Sequence, residues 1–141
     1  MATSVYAQSG HVEEVATSSP LLVLVGLTLS AGVIHAFAAG DHVADGGLEG
    51  VPFALVAIGQ LAAAAWMYKR PDDRRTLLAA AAAGAAVAVA WVLSLTVGLP
   101  FADGGEPGSV GVAGSVATFD EIALAVLVLA LFRRPREAGR S

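Results

Sequence analysis

The chain has 141 residues, of which 56% are hydrophobic and only 14% charged. A soluble domain of this length needs a larger polar fraction to cover its surface, so the balance excludes an ordinary water-soluble fold and points to a chain solvated by lipid. The net charge of −4 misleads because the two signs are segregated along the chain, and without a basic tract interleaved with aromatics nucleic acid is excluded as an expected partner.

Residues 1–19 are rich in Ser and small side chains and carry His11, Glu13 and Glu14. They are expected to form a poorly ordered or interfacial N-terminal segment on the cytoplasmic side. A first apolar stretch covers about 20–40 (PLLVLVGLTLSAGVIHAFAAG), close to the ~20 residues that cross a bilayer as a helix. Its Ala36-Phe37-Ala38 has the A-x-A pattern of a leader cleavage site. The preceding segment has no basic residue and two acids, however, so a permanent span is expected. A second span covers about 51–68, where Trp66 and Tyr68 beside Lys69 suit an interfacial aromatic belt. The third, about 76–98, is alanine-rich and sets Ala80, Gly84 and Ala88 at a small-xxx-small spacing, which lets helices approach closely. The fourth covers about 116–132 and carries Asp120 and Glu121 near its start; residues 133–141 form a basic tail. All four are apolar all round, and Gly and Pro punctuate the connections. The expected fold is an all-α integral membrane four-helix bundle.

The basic residues orient it. Lys69, Arg70, Arg74 and Arg75 lie between spans two and three, and Arg133, Arg134, Arg136 and Arg140 follow span four; these are all 8 Lys and Arg in the chain. The other two connections hold Asp41, Asp45, Glu49, Asp103 and Glu106 and no basic residue. By the positive-inside rule both termini are expected in the cytoplasm of a multi-pass plasma-membrane protein.

In that orientation polar side chains concentrate in the outer half. At about 1.5 Å per residue His35 is expected about 9 Å below the outer end of span one, with Asp120 and Glu121 comparable or shallower. Ser94 and Thr96 fall near the outer end of span three, Gln60 deeper near mid-membrane, and Asp41 and His42 at the outer mouth. Ionisable groups at such depths face the bundle interior or a watery cavity. His35 and His42, seven residues apart, share a helix face. Asp120 and Glu121 are adjacent, so only one is expected to point inward.

The chain has no Cys, and its only methionines are Met1 and Met67. Disulfides, thiolate zinc, iron–sulfur and thioether copper sites are therefore excluded. The sharp expectation is a metal site of His35, His42, Glu121 and Asp41, supported by Gln60, Ser94, Thr96 and Asp120. Imidazole with carboxylate suits Cu, Zn, Fe or Mn. A metal-free version pairs His35 with Glu121 as a proton relay. A plainer one has His35 fix helix packing by an interhelical hydrogen bond to Glu121 or Ser94. Haem is not expected, since its two axial ligands come from opposing sides and both span histidines sit on one helix.

Three stretches, SAGVIHAFAAGDHVADG, WVLSLTVGLPFADGGEPGSVGVAG and VATFDEI, resemble a group of small four-span membrane proteins of high-GC bacteria for which no activity is established. That group carries a His in span one with an acid-His pair at its end, W-x-x-S-R-T-x-G-L-P closing span three, an E-P-x-x-V-G-x-A-D loop and an early Glu in span four. The matching residues are His35, Asp41, His42, Trp91, Ser94, Thr96, Gly98, Leu99, Pro100, Glu106, Pro107 and Glu121. The resemblance favours Glu121 over Asp120 as the inward carboxylate. The group's Arg is Leu95 here and its Asp is Gly114.

No nucleophile–base pair or phosphate loop is present, so an enzyme is not expected. The leading expectation is a small membrane protein that binds a transition metal at the outer His/carboxylate cluster. The alternative is an accessory subunit of a larger membrane complex, with other membrane subunits or a second copy as partner. A proton-coupled carrier is the third.

Overall fold

The structure is a computed structural model that describes residues 5–44, 50–98, 108 and 110–133, with the backbone alone for 5–19. Among these residues four helices and no strands occur: α1 Val5–Ala44, α2 Gly50–Lys69, α3 Arg74–Thr96 and α4 Val112–Arg133. The Pro20–Ala44 part of α1 and the whole of α2, α3 and α4 are long and apolar enough to cross a membrane. The chain is an all-α four-helix bundle, consistent with a multi-pass membrane protein. The acids Asp45, Glu49, Asp103 and Glu106, the matched Leu99, Pro100 and Pro107, and the tail arginines Arg134, Arg136 and Arg140 lie outside the described residues.

Helix α1 starts fifteen residues before the expected span, at Val5 rather than Pro20, and passes through that proline. Proline removes one backbone donor from the ladder, and the helix continues across it. The α2–α3 turn is fixed by Asp73, the N-cap of α3, whose side chain accepts from the backbone N–H groups of Arg75 and Thr76. The same carboxylate accepts from the Thr76 hydroxyl at 2.8 Å and the Trp66 indole N–H at 3.0 Å. These donors, the indole foremost, hold the Asp73 carboxyl below its ordinary value. At the other end of α3, Gly98 takes φ 74°, the left-handed conformation that glycine adopts without a Cβ penalty when it ends a helix. The Gly108 N–H then returns to the Ser94 carbonyl at 2.9 Å.

Helix α1 packs along α2, and α4 sits between α1 and α3, whereas α2 and α3 make few contacts despite their short connection. Towards the basic end the interior is filled by Leu24, Met67, Leu77, Leu124 and Val128. Lys69, Arg70, Arg74 and Arg133 all fall at that end of α2, α3 and α4. Arg70 lies over the Trp66 ring and Arg74 over the Phe132 ring, at 5.3 and 5.0 Å. The Ala80, Gly84 and Ala88 stripe is buried within this chain, so the close approach it permits is used between α3 and α4.

Candidate functional site

Halfway along the bundle three helices each place one polar side chain in the same layer: His35 on α1, Gln60 on α2 and Glu121 on α4. Each lies roughly nine or ten residues in from Ala44, Gly50 or Val112, about 14 Å at 1.5 Å per residue. This layer is deeper and flatter than expected. Helix α1 runs on to Ala44 and α4 begins at Val112, so both carry an extra turn above the expected spans and Gln60 becomes level with its partners.

The three side chains form one directed chain. His35 Nδ1 lies 2.9 Å from the Ala31 carbonyl oxygen and 3.0 Å from Gln60 Oε1. Both neighbours are acceptors, so Nδ1 carries the proton and that tautomer is selected. With its oxygen committed to His35, Gln60 turns its amide nitrogen to Glu121 and donates to Oε1 at 2.9 Å. His35 Nε2 faces the same Glu121 oxygen at 4.0 Å. Glu121 is 2% exposed and His35 7%, so the chain is inside the protein.

Small residues make room for it. A Cβ on Gly32 would meet Leu61 at 3.1 Å and Gln60 Cβ at 3.2 Å, so glycine there lets α1 come close enough to α2 for His35 to reach Gln60. Opposite, a Cβ on Gly84 would stand 3.4 Å from Glu121 Cβ, and α3 passes directly over the carboxylate-bearing segment.

The expectation that only one of the adjacent acids turns inward is corrected. Asp120 is also buried, at 8% exposure. Because α4 packs against α1 on one flank and α3 on the other, its buried sector is wider than the ~100° between neighbouring residues. Both acids line a cavity of about 310 Å³ together with Thr28, Gln60, Gly59 and Ala83. Asp120 Oδ2 and Glu121 Oε2 are buried without a hydrogen-bond partner.

The remaining expected ligands do not join this layer. His42 stacks on Phe53, ring centroids 5.0 Å apart and 11° from parallel, while His35 stacks on the same ring at 6.1 Å. Two histidines seven residues apart share a face but stand about 10 Å apart along the axis, beyond the ~2 Å bonds of one ion, and here Phe53 lies against both. Asp41 is exposed. Ser94 and Thr96 turn their hydroxyls onto the carbonyls of Trp91 and Val92 in their own helix. Among the described residues no group of three or more His, Asp or Glu side chains is placed to hold a metal.

Sequence reasoning missed Phe53 and Gly32. The signal for Gly32 was present in the small pair Ala31-Gly32 one turn before His35; Phe53 carried none. A Cβ on Gly114 would lie 2.7 Å from Trp91 Nε1, so glycine there lets α4 meet that indole closely.

No protein-family description, curated protein or solved structure matches this chain.

Proposed function

We propose that the chain is a small proton-coupled membrane carrier in which Glu121 and His35 take up, share and release a proton. The observation that supports this most is the pair of facing atoms, His35 Nε2 and Glu121 Oε1, 4.0 Å apart, on two side chains that Gln60 bridges through His35 Nδ1 and Glu121 Oε1. With Nδ1 fixed as a donor, a proton on the pair belongs to Nε2 or to the carboxylate, and a small closure of the gap moves it between them. Among the described residues the titratable groups facing Glu121 are His35 from α1 and Asp120 beside it on α4; α2 contributes Gln60, and α3 only the apolar Ala80, Ala83, Gly84 and Val87. Among the described residues the Lys and Arg of the helices sit in their terminal turns at the basic end, so no fixed cation stands in the polar layer to lock the carboxylate as an ion pair. A charge at such depth costs roughly 2.5–3.5 kcal/mol in a helix centre, which gives a proton that neutralises it functional weight. In this reading the basic end faces the cytoplasm of a plasma membrane, and the proton site is reached from the opposite side.

The transition-metal reading retains His35 and Glu121 as facing donors, with Gln60 Oε1 beside them. Two measurements made side by side separate them. Infrared difference spectroscopy across pH on the reconstituted protein is expected to show a titrating carboxyl absorption that vanishes in Glu121→Gln and shifts in Gln60→Leu. Elemental analysis runs beside it on protein extracted gently from its native membrane. Near-stoichiometric Cu, Zn or Fe that disappears in His35→Ala would replace the proton reading with the metal one. Absence of any titrating carboxyl absorption would overturn proton exchange.

A further inference from the structure

The cavity beside the proton pair is shaped for something other than a proton. It lies where α2 and α3 fail to close on each other, and its rim residues Leu55 and Gly59 on α2 and Ala83 on α3 are exposed. Its walls are aliphatic, while Asp120 and Glu121 line its α4 side. At about 310 Å³ it falls at the lower end of small-molecule pockets, which run from about 300 to 1,000 Å³. A lipid acyl chain would fill the apolar volume yet leave Asp120 Oδ2 and Glu121 Oε2 unpartnered, and a buried acceptor without a donor is costly. A bare metal ion would satisfy the oxygens and leave the apolar volume empty. The occupant that meets both demands has an apolar body and a positively charged head with several N–H donors.

The geometry points to a binding site for a lipophilic primary ammonium, entering sideways from the bilayer between α2 and α3, its head on Asp120 and Glu121 and its apolar body along Gly59 and Ala83. An –NH₃⁺ head has three donors to offer the two carboxylates on the α4 side of the cavity. Small residues at the rim keep the path open: Gly59 carries no side chain, and a Cβ added there would meet nothing within 4 Å. The inference goes beyond proton exchange and shares Glu121 and the neighbouring Gln60 with it.

The test is equilibrium binding of 4-phenylbutylamine to the protein in nanodiscs, against empty nanodiscs and against the uncharged isostere 4-phenylbutanol. Saturable binding of the amine is expected, about tenfold or more tighter than the alcohol, as suits charge-assisted over neutral hydrogen bonds. Asp120→Asn is expected to weaken the amine about tenfold, and Gly59→Leu to abolish its binding. Gly59→Leu leaves the His35–Gln60–Glu121 chain in place, so the Glu121 infrared signal should persist in it. No saturable binding above empty discs, equal binding of amine and alcohol, or undiminished binding in Gly59→Leu would each overturn the site. The infrared result on Glu121 stands independently, so failure of one reading is distinguishable from failure of the other.

Discussion

At the scale of single residues, roles follow from what each polar atom can reach. Gln60 shows this most clearly: a neutral amide joins an imidazole to a carboxylate because one end accepts and the other donates, and the Ala31 carbonyl decides which end faces which. Asp73 is the counterpart in the α2–α3 turn. Its carboxylate collects donors from Trp66, Thr76 and the first turn of α3. Its folded value is lowered below the ordinary 3.8, so its stabilising contribution is complete above that value and lost as the pH falls through the lowered one. Asp73→Asn is therefore expected to lower the melting temperature at neutral pH, with the gap to wild type narrowing on acidification below about 4; thermal melts across pH check it. A gap that stays constant down to the lowest pH would show that the carboxylate charge contributes nothing there.

At the scale of elements, small residues set how closely helices approach, and they are not equivalent. Gly50 at the start of α2 sits against the backbone of α1, where a Cβ would lie 2.8 Å from the Ala39 carbonyl oxygen. Gly84 faces Glu121, its side chain and Cα, at an ordinary contact distance of 3.4 Å or more. Gly50→Ala is expected to destabilise by about 1–3 kcal/mol, because backbone cannot yield to an added methyl. Gly84→Ala is expected to be neutral or mildly stabilising, by up to about 1 kcal/mol, since alanine is the better helix former. Unfolding in a denaturing detergent titration ranks the two. Equal losses would mean that α3 and α4 are as tightly in contact as α1 and α2. The Ala80, Gly84 and Ala88 spacing was legible in the sequence, but only packing shows that it serves the α3–α4 contact.

At the scale of the whole molecule, the described basic residues collect at one end and the polar layer lies about 14 Å in from the other. The absence of cysteine allows a clean topology test with single introduced thiols. Lys69→Cys is expected to react with an impermeant maleimide only from the cytoplasmic side, and Val110→Cys only from outside. Labelling of both from one side would remove the up-down-up-down bundle, and the reverse assignment would invert the side from which the proton site is reached.

The sequence by itself determined four helices long and apolar enough to cross a membrane, the single end shared by the described basic residues, and the polar residues His35, Gln60 and Glu121 within them, because hydropathy and charge are carried by individual residues whatever the packing. It grouped His42 and Asp41 with His35 and Glu121, which the structure sets in different layers, and expected one inward acid where two are buried. Helix spacing gives the face a residue occupies, whereas a site needs distances between faces of different helices. The tertiary structure alone decided those distances. It drew Phe53 against both histidines, brought Gln60 between His35 and Glu121, and set α4 between two neighbours so that Asp120 turned inward as well. It also left α2 and α3 apart, a gap visible only when all four helices are packed together.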